Sequence, residues 1–203
     1  RSDLVAAQRH VDLAVARAGT GQLGHLLTVL DIFTAQLTVL AGRPDDGEKR
    51  YLQGSARLAE HGAVNGAHLA VIGRISAALA RGDPSPLADE LLLVHERVST
   101  SVCEAAVLAL IAAGRTDEAR RLWAGRDPVE RSYYWLAMTT LRAHAAALLG
   151  DVDEARCCAE ELAPYSGRMA GLDNGSLLTG PVDAALAAVE DLLGETVKAQ
   201  AHR

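Results

Sequence analysis

The phrase Gly114-Arg115-Thr116-Asp117-Glu118-Ala119 returns 36 residues later as Gly150-Asp151-Val152-Asp153-Glu154-Ala155, and Gly194-Glu195-Thr196-Val197-Lys198-Ala199 is a looser third copy. Each copy stands between an Ala- and Leu-rich run with helical spacing and a second, shorter run. A period in the mid-thirties with one pair of elements per period is the signature of a helical repeat. It restricts the chain to folds in which each helix pair buries its apolar face against its neighbours. Such folds offer long surfaces to partners and rarely carry their own chemistry.

The punctuation between helices agrees. Gly42-Arg43, Gly82-Asp83, Gly114-Arg115, Gly150-Asp151 and Gly194-Glu195 follow one another at intervals of 40, 32, 36 and 44 residues. A Gly just past a helix C-terminus takes the left-handed conformation at no steric cost, and a following Asp or Thr can cap the next helix. Reading outward from these marks predicts about eleven helices: Ser2–Ala18, Leu23–Ala41, Glu48–His61, Ala67–Arg81, Leu87–Val98, Ser101–Ala113, Asp117–Ala124, Val129–Leu149, Asp153–Ala163, Val182–Leu193 and Thr196–His202. Pro44, Pro84, Pro86, Pro128, Pro164 and Pro181 all fall at predicted ends or first turns, where proline is tolerated. The 44-residue interval is explained by a Gly-rich connector at 164–181, expected as a loop with tight turns.

Hydrophobic residues make up 49% of the 203 residues but aromatics only 3%, so the apolar content is mostly Ala, Leu and Val. Ala is the best helix former and lets helix axes approach, and the long β-branched alternating runs that strands need are absent. In the tetratricopeptide pattern, small residues sit where paired helices touch and bulky ones lie between them. Counting from Gly150 places the small positions on Ala143 and Ala155, and counting from Gly114 places a bulky one on Trp123. Gly47 and Leu87 hold the place of Ala119 and Ala155 in the first two copies. The expected fold is therefore all-α: a tetratricopeptide-like α-solenoid of antiparallel helix pairs in one domain, 1–203, with degenerate repeats over 1–98 and clearer ones over 99–203. Arg1-Ser2 at one end and an unfinished helical pattern at the other predict a fragment of a longer protein.

The net charge is −6, and the 20 basic residues are scattered among 26 acidic ones. No run of Lys and Arg with interleaved aromatics offers a grip on phosphate backbone, so direct nucleic-acid contact is not expected. No apolar run reaches the ~18 residues of a membrane span, and no GxxxxGK[ST] loop is present for ATP. Of the three cysteines, Cys157 and Cys158 are neighbours; they and Cys103 read as reduced structural thiols of a cytoplasmic protein. His61 and His68 would share a helix face, but Gly62 and Asn65-Gly66 interrupt it, so no metal site is expected. No Gly-x-Ser-x-Gly or nucleophile–base pair occurs, and the carboxylate pairs such as Asp117-Glu118 and Asp153-Glu154 read as caps and solvated faces. Neither catalytic residues nor a cofactor are expected.

The run Pro164-Tyr165-x-Gly167-Arg168-x-Ala170, then Gly175, then Gly180-Pro181-Val182, follows Trp135-Leu136 and Leu149-Gly150-Asp151. This pattern, from about Ser132 to Leu193, resembles the C-terminal helical-repeat region of large bacterial LuxR-type, ATPase-containing transcriptional regulators and of related regulators with a bacterial transcriptional activator domain. One departure is Ala185-Leu186-Ala187-Ala188, where that family has a Leu-Gly step. The resemblance implies a module beside a nucleotide-binding switch and a DNA-reading helix-turn-helix that lie outside this segment, receiving a small-molecule effector or holding a protein or peptide partner. A homodimeric scaffold without ligand input is the alternative. Trp and Tyr favour binding patches, which makes Tyr134, Trp135 and Tyr165, with Arg168 as a fork for an anion, the candidate ligand or partner residues. The competing role for Trp123 and Trp135 is to fill the junctions between neighbouring repeats.

Overall fold

The left-handed glycines set the architecture. In the computed structural model, which describes residues 3–20, 24–60, 62, 66–172 and 175–203, Gly42, Gly114, Gly150 and Gly194 all have φ of 74–77°. At each, two backbone bonds close the preceding helix: at Gly150, for example, Asp151 N donates to the Ala146 carbonyl at 3.0 Å, and at Gly114, Arg115 N donates to the Leu110 carbonyl at 2.9 Å. This is the C-terminal arrangement in which orphan carbonyls are satisfied by the residues that turn the chain away.

The described residues form eleven α-helices. They are α1 Leu4–Thr20, α2 Gly24–Leu40, α3 Pro44–Glu60, α4 Gly66–Arg81, α5 Ala88–Arg97, α6 Cys103–Ala112, α7 Thr116–Ala124, α8 Trp135–Leu149, α9 Val152–Leu162, α10 Val182–Leu192 and α11 Thr196–Ala201. The all-α class expected from the sequence is what the chain adopts. Two expected starts are displaced: α3 begins at Pro44 rather than Glu48, and α8 at Trp135 rather than Val129. Pro128 lacks an N–H and disfavours the helical region for Asp127, so 126–134 runs as an irregular segment. The connector also differs from the loop expected. It holds a 3-10 turn, Ala163–Tyr165, and two short antiparallel strands, β1 Met169–Gly171 and β2 Leu178–Pro181, with an irregularity between Ala170 and Gly171.

The chain divides into two compact units, Arg1–Gly82 with Asn174–Leu177, and Asp83–Asp173 with Leu178–Arg203. In the first, α2 packs on α3 and α3 on α4 around a core of Ile32, Ala35, Val39, Tyr51 and Leu58. The helices approach closely at glycines. A Cβ at Gly47 would lie 2.4 Å from Val39 Cγ2, and one at Gly73 would lie 2.3 Å from Tyr51 Cβ. Tyr51 is fully buried, and its hydroxyl hydrogen-bonds the Ser176 carbonyl at 2.5 Å and the Gln36 side chain at 2.6 Å.

In the second unit, α6 packs on α7, α8 on α9 and α10 on α11, while α6 also meets α8 and α8 meets α10. Ala119, Ala155 and Ala199, the closing alanines of the three repeat phrases, are fully buried, as is Ala143. The position held by Gly47 and Leu87 in the earlier copies is buried too. The Ala185-Leu186-Ala187 step of α10 is equally closed to solvent. The turn after α9 is tied to α10 by Asp183, whose Oδ1 accepts from Ser166 Oγ at 2.8 Å and Gly167 N at 3.0 Å.

Candidate functional site

Helices α6 and α8 are apolar almost all round, and each carries one charge in its buried run, Glu104 and Arg142. Glu104 is 3% exposed and Arg142 7%. A charge so removed from water persists only when paired and hydrogen-bonded. Arg142 Nε donates to Glu104 Oε1 at 2.9 Å, and Nη2 donates to the same oxygen and to the Asp127 carbonyl. Nη1 lies 3.7 Å from Glu154 Oε1. Glu154 Oε2 accepts from Arg126 Nη2 at 2.6 Å, and that nitrogen also reaches Asp151 Oδ2 at 3.2 Å. The result is a chain of alternating charge, Glu104–Arg142–Glu154–Arg126–Asp151, which fixes the 126–134 segment over the ends of α6, α8 and α9.

Asp151 closes this chain and links α7 to α9. Its Oδ1 accepts from the Glu154 amide at 3.1 Å, capping α9, and its Oδ2 accepts from Trp123 Nε1 at 2.8 Å. The Arg126 guanidinium lies 3.9 Å over the Trp123 ring. Trp123, 6% exposed, is therefore buried at the contact between the end of α7 and the start of α9. Burial alone would raise the Asp151 carboxyl, but the bonds from Trp123, the Glu154 amide and Arg126 outweigh it and hold the group below its ordinary value. Asp151→Ala removes a cap, a partner of a buried indole and one ion pair, so a loss of about 2 kcal/mol is expected. Urea unfolding followed by tryptophan fluorescence measures it, since the chain's two tryptophans, Trp123 and Trp135, both lie in this unit. With a depressed folded pKa, the contribution is complete above the unfolded value of about 4 and lost as pH falls through the lower folded one. The gap between wild type and variant should thus narrow below about pH 4.

Beside the Glu104–Arg142 pair lies a cavity of about 410 Å³. Its walls are the turn at Ser99–Ser101, the start of α6, the Asp127–Glu130 stretch, and Tyr134, Met138 and Arg142 of α8 and its approach. That volume is within the range of small-molecule sites. A second hollow of about 350 Å³ lies on the other side of the same segment, against Arg126, Glu154 and Cys157. Cys103 borders the first cavity, and burial, followed by the charge of Glu104, pushes its thiol up to about 12. At neutral pH it stays protonated and is a poor nucleophile. Cys158 is likewise pushed up to about 12, by burial first, and none of the three cysteines is in a disulfide.

The sequence singled out Tyr134, Trp135, Tyr165 and Arg168. Three of them come together: the Trp135 and Tyr165 rings are 5.4 Å apart and tilted by 53°, and the Arg168 guanidinium is 5.6 Å from the Tyr165 ring. Arg131 caps the other end of this stack, 3.9 Å over Trp135. Trp135 is 6% exposed, so it packs between Tyr165 and Arg131 more than it offers a binding face. Tyr134 goes elsewhere, stacking edge-on against Tyr133 at 5.2 Å and lining the 410 Å³ cavity. Sequence reading missed Glu104, Arg142, Asp127 and Glu130. The available signal was a lone acid and a lone base inside two apolar helical runs, but nothing local pairs them. His61 lies outside the described residues, and His68 is exposed on α4.

Among the described residues, no group of three or more His, Cys, Asp or Glu is placed to hold a metal ion, and no helix is long and apolar enough to cross a membrane. Comparison of the chain with protein-family models, curated proteins and solved structures found no match.

Proposed function

We propose that this chain is a non-enzymatic recognition module: a tetratricopeptide-like stack of helix pairs from a cytoplasmic bacterial transcriptional regulator of the LuxR-type, ATPase-containing kind. It binds an effector or a partner and passes the signal to ATPase and DNA-reading modules outside this segment. The observation that carries the recognition reading is the 410 Å³ cavity, whose wall holds a buried ion pair rather than a nucleophile and base. The contacts of α6 with α8 and of α8 with α10 support a stacked-hairpin reading of the second unit. The regulator context rests on the sequence resemblance. Control of the parent would require a ligand with different affinity for two of its states.

A second reading, a constitutive dimerisation scaffold, is favoured by the exposed Leu4, Val5, Leu13 and Val15 of α1. Calorimetry against metabolite and peptide panels, with light scattering alongside, separates the two. Saturable binding by a monomer is the expected result. Stable dimers that bind nothing in the panels would reject the effector reading in favour of the scaffold.

A further inference from the structure

The electrostatics of the 410 Å³ cavity specify a chemical class of ligand. Three carboxylates line it, Glu104, Asp127 and Glu130, against the single guanidinium of Arg142. The Arg142 donors on that side are already used: Nε and Nη2 both go to Glu104 Oε1, and Nη2 also goes to the Asp127 carbonyl. An anion entering the cavity would therefore meet net negative charge and no spare cationic donor.

A cation meets the opposite situation. Glu104 is 97% buried by its 3% exposure, yet both bonds from Arg142 end on Oε1. Oε2 remains as an acceptor without a protein partner on a side chain that lines the cavity. That oxygen is open to the cavity rather than sealed off, since it is not among the buried polar atoms left without a partner, and a ligand N–H can make a charge-assisted bond to it. The Asp127 and Glu130 side chains are exposed at the cavity and, among the described residues, make no ion pair or hydrogen bond. Tyr134 offers an aromatic face for a cation, and Met138 and Val129 supply apolar surface for a short aliphatic stem.

We infer that the cavity between the Ser99–Ser101 turn, α6 and the 126–134 segment binds an organic cation, a primary ammonium or guanidinium group on a short aliphatic chain. The group can come from a free amine or from a Lys or Arg side chain of a peptide. The inference rests on the recognition reading above and names the ligand chemistry of its cavity.

The test is titration calorimetry on the 203-residue chain at low salt. Agmatine and n-butylammonium serve as free cations, a short Arg-containing peptide as the tethered source, and n-butanol and succinate as neutral and anionic controls. Agmatine or the peptide should bind with affinity in the micromolar to millimolar range, and the controls should not. If the peptide binds and agmatine does not, the source is a protein partner; the reverse marks a free amine. The double variant Asp127→Asn/Glu130→Gln, which touches only exposed side chains, should weaken cation binding at least about tenfold and leave the circular dichroism spectrum unchanged. Raised salt should weaken wild-type binding in the same direction. Absence of binding by the free cations and by the peptide alike overturns the inference, as does binding indifferent to the double variant. Saturable binding of succinate or a neutral effector at this cavity overturns the cation assignment while leaving the recognition reading intact. A chain that binds nothing and dimerises overturns both.

Discussion

Replacing Arg142 with Met should destabilise the second unit by about 3–5 kcal/mol, among the largest single effects in the protein. Met fills much of the volume of the Arg stem but supplies no charge. Glu104, 3% exposed in the apolar run of α6, would then be a buried carboxylate without a counter-charge, and the Asp127 carbonyl would lose the donor that fixes the 126–134 segment. Most of the cost is this uncompensated charge rather than the worth of the pair. Double replacement, Glu104→Gln with Arg142→Met, should therefore recover most of the loss and leave a residue of about 1 kcal/mol from the orphaned carbonyl. Urea midpoints read by the fluorescence of Trp123 and Trp135 measure both variants. A single variant that costs under about 1 kcal/mol, or a double variant no better than the single, would mean that the buried pair does not organise this part of the fold.

Features set by a few neighbouring residues were readable. Gly114, Gly150 and Gly194 announced left-handed turns because φ near 74° is cheap for Gly alone. Ala119, Ala155 and Ala199 announced buried positions because each closes a copy of the repeated phrase that opens on the turn glycine. The start of α8 was misplaced because Pro128-Val129 looks locally like a helix opening. What keeps that segment out of the helix includes the bond from Arg142 to the Asp127 carbonyl, made 15 residues further along the chain. The cavity was unreadable for the same reason: Glu104 and Arg142 are 38 residues apart. Tyr134 and Trp135 are adjacent in sequence, yet one lines the cavity and the other enters the stack with Tyr165. Adjacent residues at a helix start point about 100° apart, so a cluster of aromatics in sequence need not be a cluster in space.

Gly73 shows how a local rule can reverse in context. In the middle of an exposed helix, Gly→Ala gains up to about 1 kcal/mol, and at Gly19, where an added Cβ meets nothing within 4 Å, a small gain is expected. At Gly73 the same change should cost the first unit about 2 kcal/mol or more. The new Cβ would fall 2.3 Å from both Tyr51 Cβ and Cγ and 2.9 Å from Cδ1. These atoms lie at the root of the ring, where the α3 backbone positions them, and the far end of the ring is held by the Ser176 carbonyl and Gln36. The ring cannot swing aside without breaking buried hydrogen bonds, so α3 and α4 must separate and open the core around Tyr51. Hydrogen exchange in α3 and α4 should accelerate in Gly73→Ala, and the urea midpoint by circular dichroism should fall. Because the clash is with the Cβ, Cγ and Cδ1 of one side chain, Tyr51→Gly, which removes all three, should cost less in the Gly73→Ala background than in wild type. A Gly73→Ala protein as stable as wild type, or two substitutions whose costs simply add, would mean that the close approach of α3 and α4 does not depend on the missing Cβ.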